Sequence, residues 1–366
     1  MFIKTKNYID ALVKNKGIPY IDIGVMKNGF PVFRYLSGDG REEVNGKEKL
    51  LIYSATKPMT VVMAMRLIEE GKMALTDKVS TFLPEYESVY LLNERGEKVA
   101  PKKDITILHL LTMTAGLTYD YKSYPIEEKV KSLGGNASTR EIVSCFVEKH
   151  LAFEPGSDRR YSLCHDVLGA VIEVVSGKKL GEYLDEVIVK PLGLKNTGFY
   201  GYDKTATLYE SVCEKVEKAK KDLWFKFSKE YQSGGAGLVS CVDDYLIFAS
   251  ALANNGEINE YKLLKKESID EIKKERLKAF NVKSKFTCVQ GSDYGYGLGV
   301  RTRTESTNWG LPKEEFGWDG AAGSYLLVDT KNNISIFMGM HLINWPEVFK
   351  GEHLKIVEQI YKDIKV

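Results

Sequence analysis

Ser54 and Lys57 stand three residues apart in the stretch Tyr53-Ser54-Ala55-Thr56-Lys57-Pro58. A serine hydroxyl is a poor nucleophile until a base takes its proton. A lysine becomes such a base when burial brings an ammonium toward neutrality. Residues three apart on a helix share a face, so this spacing would bring the amine to the hydroxyl. The first turn of a helix also offers free N–H groups, that of Ser54 included, to an oxyanion.

The spacing alone leaves a second reading open, a serine N-cap followed by an exposed lysine. Ser176-Gly177-Lys178-Lys179 repeats the spacing in this same chain, and there it reads as a helix end with a glycine C-cap. Context favours chemistry at Ser54. Lys57 leads into residues 58–69, PMTVVMAMRLIE, apolar on nearly every side. Such a helix is a buried one, where a lysine is costly without a task.

Other candidates are weaker. Cys164 and His165 are adjacent, and neighbours on a helix point about 100° apart. His109 sits in an apolar helical stretch and reads as a core histidine; His150, His341 and His353 are isolated. Neither H-E-x-x-H nor C-x-x-C occurs, so neither a metal nor any other cofactor is expected. Gly234-Gly235-Ala236-Gly237 lacks the Lys-Ser/Thr that would make it a phosphate loop.

These residues need elements to position them. The N-terminus reads as an amphipathic helix with Phe2, Ile3, Tyr8, Ile9, Leu12 and Val13 on one face. Strand-like runs 20–27 and 31–37 flank Asn28-Gly29, a strong hairpin signal. A third strand is expected over 50–53. The helix 58–69 follows, with Gly71 as its C-cap. To about residue 275 the pattern is mostly helical, with helices over 107–113, 139–149, 166–175, 180–189 and 243–253. Glu154-Pro155-Gly156 and Pro191-Leu192-Gly193 mark turns. Strands return over 294–304, 324–329 and 334–343, Lys331-Asn332-Asn333 turning between the last two, and a helix from about Glu347 to Ile364 ends the chain.

The expected fold is therefore α+β, an α/β sandwich. One antiparallel sheet is built from both chain ends and covered by the terminal helices, with a mainly helical lobe inserted. The sheet lobe comprises residues 1–53 and 290–366, the helical lobe 54–289, and together they form one catalytic unit.

Bulk properties narrow the function. The 366 residues carry 52 basic and 50 acidic side chains, a net charge of +2, so no basic face for nucleic acid is expected. The Lys/Glu runs 214–221 and 265–274 mix both signs and read as solvated helix faces. Five widely spaced cysteines, Cys145, Cys164, Cys213, Cys241 and Cys288, point to reduced thiols rather than a disulfide framework. No continuous apolar leader segment and no membrane-spanning run is seen, which points to the cytoplasm. Oligomeric state is left open.

Several segments together resemble the serine β-lactamase and penicillin-binding-protein superfamily, above all its esterase and class C β-lactamase branch. S-x-x-K is one of its signatures. LIYSATKPMTVVMAMRLIEEGKMALTDKVSTFLPEY resembles the nucleophile helix and the loop after it, and ITILHLLTMTAGL a second signature. LAFEPGSDRRYSLCHDVLGAVIEVVSGKKLGEYLDEVIVKPLGLKNTGFY resembles the tyrosine-loop region. SGGAGLVSCVDDYLIFASAL, YGYGLGV and FGWDGAAGSYLLVD follow in the family order.

The resemblance implies roles. Ser54 would be the acylated nucleophile and Lys57 its hydrogen-bonded partner. Tyr161 would help activate the serine and later the deacylating water; without the resemblance it reads as a packing aromatic after a Pro-Gly turn. Ala321, just after Gly320 on a strand, would add a second oxyanion N–H to that of Ser54. Gly234 to Gly237 resembles a glycine-rich entry to a helix near the site rim.

Two departures bear on substrate. The usual Tyr-x-Asn is Tyr161-Ser162-Leu163 here, and Leu163 cannot pair with a substrate amide. The usual Lys/His-Thr/Ser-Gly is Trp318-Asp319-Gly320 here. Trp318 carries no charge for a substrate carboxylate; it either lines the site or packs the core. Asp319 would repel a carboxylate if it faces the site, and strand alternation could equally turn it away. With Leu163, Trp318, Asp319 and Gly320 as the substrate-binding set, the expected function is an acyl-enzyme serine hydrolase for small or medium carboxylic esters. Two alternatives stay open: β-lactamase or D,D-peptidase activity at the same site, and a catalytically idle binding protein with this fold.

Overall fold

A computed structural model of the chain describes residues 2–213, 215–219, 225–280, 293–345 and 351–365. Cys288, the Glu347 start expected for the last helix, and Glu214, Lys220 and Lys221 of the first charged run lie outside the described residues. The N-terminal helix α1 spans Ile3–Lys16 and ends on Gly17 in the left-handed region. Asn28-Gly29 closes a two-residue hairpin between β1 (Tyr20–Lys27) and β2 (Phe30–Gly38). Both loop residues take positive φ, 53° and 81°, as the turn that matches strand twist requires.

β1 and β2 join five strands from the other end of the chain: β3 (Tyr294–Tyr296), β4 (Arg301–Arg303), β5 (Phe316–Gly317), β6 (Tyr325–Asp329) and β7 (Ile334–Gly339). The order across the sheet is β3-β4-β5-β6-β7-β1-β2, with every neighbouring pair antiparallel. Side chains alternate between two cores, as a period of two demands. Ile21, Ile23, Val25, Leu327, Ile336 and Met338 pack under α1 and the C-terminal helix α2 (Glu352–Ile364). Leu326, Val328 and Phe337 face the larger core on the other side, where the helix Val242–Ala253 lies against the sheet.

That larger core holds the helix Lys57–Glu69, in which Lys57 through Met65 are all buried. It packs on the helix Cys164–Ser176, buried from Cys164 through Ile172.

Several expected elements are divided. The 294–304 run is the hairpin β3–β4, bent at Gly299 with φ 69°. The third strand is two residues long, Leu50–Leu51, and pairs with Val239–Ser240 outside the main sheet. The last strand stops at Gly339; His341 turns with φ 48°, and Leu342–Ile343 runs parallel to Tyr209–Glu210. The 180–189 helix is α-helical to Leu184 and then widens into a π turn to Val189. Among the described residues no helix is long and apolar enough to cross a membrane.

Candidate active site

Ser54 lies in a short 3-10 turn, Tyr53–Thr56, that runs directly into the helix beginning at Lys57. In a 3-10 turn residues three apart eclipse, so Ser54 and Lys57 share a side. Tyr53 enters the turn with φ 45°, a conformation costing an aromatic residue about 1–3 kcal/mol. The flanking backbone is pinned against that strain. Leu51 N–H donates to His341 Nε2 at 3.1 Å, Ile52 N–H to Leu238 O at 3.2 Å, and Ser324 Oγ donates to Ile52 O at 3.1 Å. His341 is buried and donates from Nδ1 to Thr207 O at 3.0 Å, which leaves Nε2 as the acceptor.

The Tyr161 hydroxyl meets Ser54 Oγ at 2.7 Å. Its ring is stacked between Tyr119, at 5.4 Å and 8°, and Trp318, at 5.7 Å and 30°. Trp318 Nε1–H donates to Tyr161 Oη at 3.4 Å. Lys57 is fully buried, and its Nζ lies 4.6 Å from the centre of the Tyr161 ring. The expected Ser54–Lys57 hydrogen bond is replaced: Lys57 Nζ donates to Gly235 O at 2.7 Å. The structure thus brings Ser54, Lys57, Tyr161 and Trp318 together, with the tyrosine rather than the lysine against the serine.

Behind Lys57 lies a buried polar layer. Asp166 Oδ1 accepts from Tyr231 Oη and Ser233 Oγ, both at 2.6 Å. Burial pushes its carboxyl above the usual range, while Ser233, Tyr231, the Lys57 charge and the Gly235 amide pull it down. Gly235 thus offers its carbonyl to Lys57, while its amide helps to lower the Asp166 carboxyl. The glycine string is buried at the back of the site, not at its rim.

Ala321 is in a turn rather than on a strand, and it is exposed. Gly320 N–H donates to Ser324 O at 2.8 Å, and Gly323 N–H to Gly320 O at 3.0 Å. The turn presses on the segment that leads into Ser54: a Cβ at Gly320 would lie 2.2 Å from Ile52 O. Glycine at 320 is what lets the two backbones touch.

The other substrate-side expectations divide. Trp318 is half-buried and touches Tyr161, so it belongs to the site and packs edge-on against Tyr296 at 5.2 Å as well. Asp319 does not stand as a free negative charge. Its Oδ1 accepts from Arg301 Nη1 at 2.8 Å, so the argument from carboxylate repulsion falls. Leu163 is 2% exposed and sits in the main core, so it offers no surface to a substrate.

The rival nucleophile is disfavoured. Burial pushes the Cys164 thiol up to about 11, and Cys164 Sγ hydrogen-bonds Ser162 Oγ at 3.1 Å. His165 is held well below its usual pKa by burial and then by the Lys57 charge, and both its ring nitrogens lack a hydrogen-bond partner. His109 is structural: its Nδ1 accepts from Thr106 N–H at 3.2 Å and caps a helix.

Sequence reasoning missed Asp166, Tyr119 and Arg301. Asp166 had a signal, a lone acidic residue in the first turn of the apolar helix Cys164–Ser176. Tyr119 and Arg301 had none, since their roles come from partners far along the chain.

A family model described as Beta-lactamase matches residues 5–355. The chain belongs to the beta-lactamase family. Among curated relatives, Esterase EstB of Burkholderia gladioli is 27% identical over 246 residues, 57% of this chain and 58% of EstB. A protein named Putative D-alanyl-D-alanine carboxypeptidase from Salmonella typhimurium is 25% identical over 371 residues, 90% of this chain and 79% of that protein. Among solved structures, EstCE1, titled a hydrolase with promiscuous acyltransferase activity, superposes with TM-score 0.79 at 26% identity and covers 98% of both chains. The fold is accordingly that of the β-lactamases and transpeptidases.

Proposed function

We propose that this beta-lactamase-family chain is a serine hydrolase that cleaves small or medium carboxylic esters through an acyl-enzyme. The observation that carries the reading is the 2.7 Å contact between the Tyr161 hydroxyl and Ser54 Oγ, with the Lys57 ammonium buried against the same ring. Ser54 Oγ attacks the ester carbonyl as its proton passes to Tyr161 Oη, the tyrosine entering this step as its phenolate. Lys57 and the Trp318 N–H favour negative charge on that oxygen. The tetrahedral oxyanion rests on the N–H groups of Ser54 and Ala321. Its collapse expels the alcohol, which takes the proton from Tyr161. Water, deprotonated by the same tyrosine, then releases the acid.

Neutral esters are favoured for two reasons. Asp319 is already paired with Arg301, so Trp318-Asp319-Gly320 presents neither a cation to a substrate carboxylate nor a free anion. The position after Tyr161-Ser162 is a buried leucine, so no side-chain amide waits there for a lactam or peptide. The esterase relative EstB and the hydrolase EstCE1 support the same reading.

The test is hydrolysis of p-nitrophenyl butyrate by the wild type beside Ser54→Ala, with fluorophosphonate labelling of each. Activity and labelling are expected in the wild type and lost in Ser54→Ala. Equal rates in the two would overturn the reading, and an unlabelled, inactive wild type would leave an idle binding protein. The carboxypeptidase-named relative, aligned with 90% of this chain, supports a second reading, turnover of lactams or D,D-peptides. Nitrocefin hydrolysis faster than ester hydrolysis would establish it over the first.

A further inference from the structure

We infer that Ser324 is a positioning residue that locks together the two backbone segments carrying the oxyanion donors. The inference rests on the reading of Ser54 as nucleophile and Ala321 as second donor. Ser324 is 2% exposed. Its hydroxyl donates to Ile52 O at 3.1 Å, across 272 residues of chain. Ile52 directly precedes left-handed Tyr53 and then Ser54, and the same carbonyl accepts from Ala55 N–H at 3.1 Å as the 3-10 turn begins. On its own side, Ser324 O accepts from Gly320 N–H at 2.8 Å and so closes the turn that presents Ala321. One residue therefore closes the Ala321 turn with its carbonyl and grips the nucleophile segment with its hydroxyl.

The two donors come from unrelated elements, a sheet-end turn and a helix start. An oxyanion asks both N–H groups to stand about 2.7–3.1 Å from one point, a tolerance of a few tenths of an ångström. Gly320 lets the segments come within touching distance, but a glycine supplies no bond between them. The Ser324 hydroxyl supplies it. Loosening it moves Ala321 N–H relative to Ser54 N–H, which matters when charge develops on the substrate oxygen and little before. The expected signature is a fall in kcat with KM unchanged.

The experiment compares wild type, Ser324→Ala, Ser324→Thr and Ser54→Ala on p-nitrophenyl butyrate. It also measures inhibition by butylboronic acid, whose tetrahedral serine adduct mimics the oxyanion. Ser324→Ala is expected to lose up to about 100-fold in kcat, to keep its KM, and to bind the boronate more weakly by a similar factor. Ser324→Thr keeps a hydroxyl at the same atom and is expected to recover most of both. If Ser324→Ala does not accumulate as folded protein, Ser324→Cys, with a longer and weaker donor, carries the same comparison. A kcat and boronate affinity within about twofold of wild type, with Ser54→Ala inactive, would overturn this inference alone. A Ser54→Ala protein as active as wild type would instead remove the reading on which it rests. A fall in thermal stability with kcat intact would show that the bond is merely structural, which also overturns it.

Discussion

The guanidinium of Arg301 donates to Asp319 Oδ1 at 2.8 Å, with the arginine fully buried and the aspartate 12% exposed. The same cation reaches Leu326 O at 2.7 Å and Glu315 Oε1 at 3.4 Å. It lies 4.4 Å from the centre of the Tyr325 ring. One cation therefore ties β4 to the residue that precedes Gly320 and neutralises charge beside the turn from Gly320 to Ser324. Arg301→Met should take the cation away from buried Glu315 and half-buried Asp319 and destabilise the protein by about 3–5 kcal/mol, the usual result of breaking a buried pair from one side. Urea unfolding measures this. A loss below about 1 kcal/mol would mean that the ion pair is not what holds the turn.

Tyr161→Phe removes one hydroxyl and keeps the ring stack with Tyr119 and Trp318. Ester turnover should fall about 10²- to 10⁴-fold in kcat, the range for losing a general acid–base, with unfolding unchanged. Trp318→Phe keeps a ring and loses the N–H at 3.4 Å from Tyr161 Oη. One neutral hydrogen bond worth about 1 kcal/mol corresponds to about a five- to tenfold loss. Steady-state kinetics on both variants separates the two effects; a larger loss in Trp318→Phe than in Tyr161→Phe would contradict the assignment.

Asp166→Ala leaves the Tyr231 and Ser233 hydroxyls without their shared acceptor, each now 2.6 Å from it. All three residues are buried. A cost of about 3 kcal/mol or more is expected, from two unsatisfied hydroxyls and a Lys57 charge left without its buried carboxylate. Asp166→Asn retains an acceptor and should cost less. The ordering of the two urea midpoints is the check, and Asn equal to Ala would show that the hydrogen bonds do not set the cost.

His353 makes stability depend on pH. It is fully buried, its ring 4.8 Å from that of Tyr325. Burial lowers its pKa from 6.5 to about 4, against the pull of Asp319. A histidine lowered in the folded state stays neutral there while the unfolded chain takes up a proton. Its contribution is therefore complete above pH 6.5 and is lost as pH falls from there to about 4, roughly 3 kcal/mol in all. His353→Leu should flatten the dependence over that window by about this amount, read as the difference between variant and wild-type unfolding energies at pH 7 and pH 4.5. His165, lowered in the same direction, keeps part of the slope in the variant. Equal slopes in the two proteins would refute the assignment to His353.

What the sequence by itself determined is the part written in short-range chemistry. Asn28-Gly29 could only be a tight turn, because two successive positive φ values are cheap for those residues. The apolar run after Lys57 could only be buried, and the spacing of Ser54 and Lys57 placed both on one side of a turn. The order of the segments carried the family, and the strand-like runs at the two chain ends carried the antiparallel sheet built from them.

The tertiary structure decided which groups meet. Ser54 and Tyr161 are 107 residues apart, and Ile52 and Ser324 are 272 apart. No periodicity shows that Lys57 would turn to Gly235, that Arg301 would silence Asp319, or that Leu163 would be sealed in the core. The division has a physical cause. Turns and helices follow from steric preferences within a few residues, whereas a side chain's partner, charge and exposure depend on which distant surface the packed core brings against it.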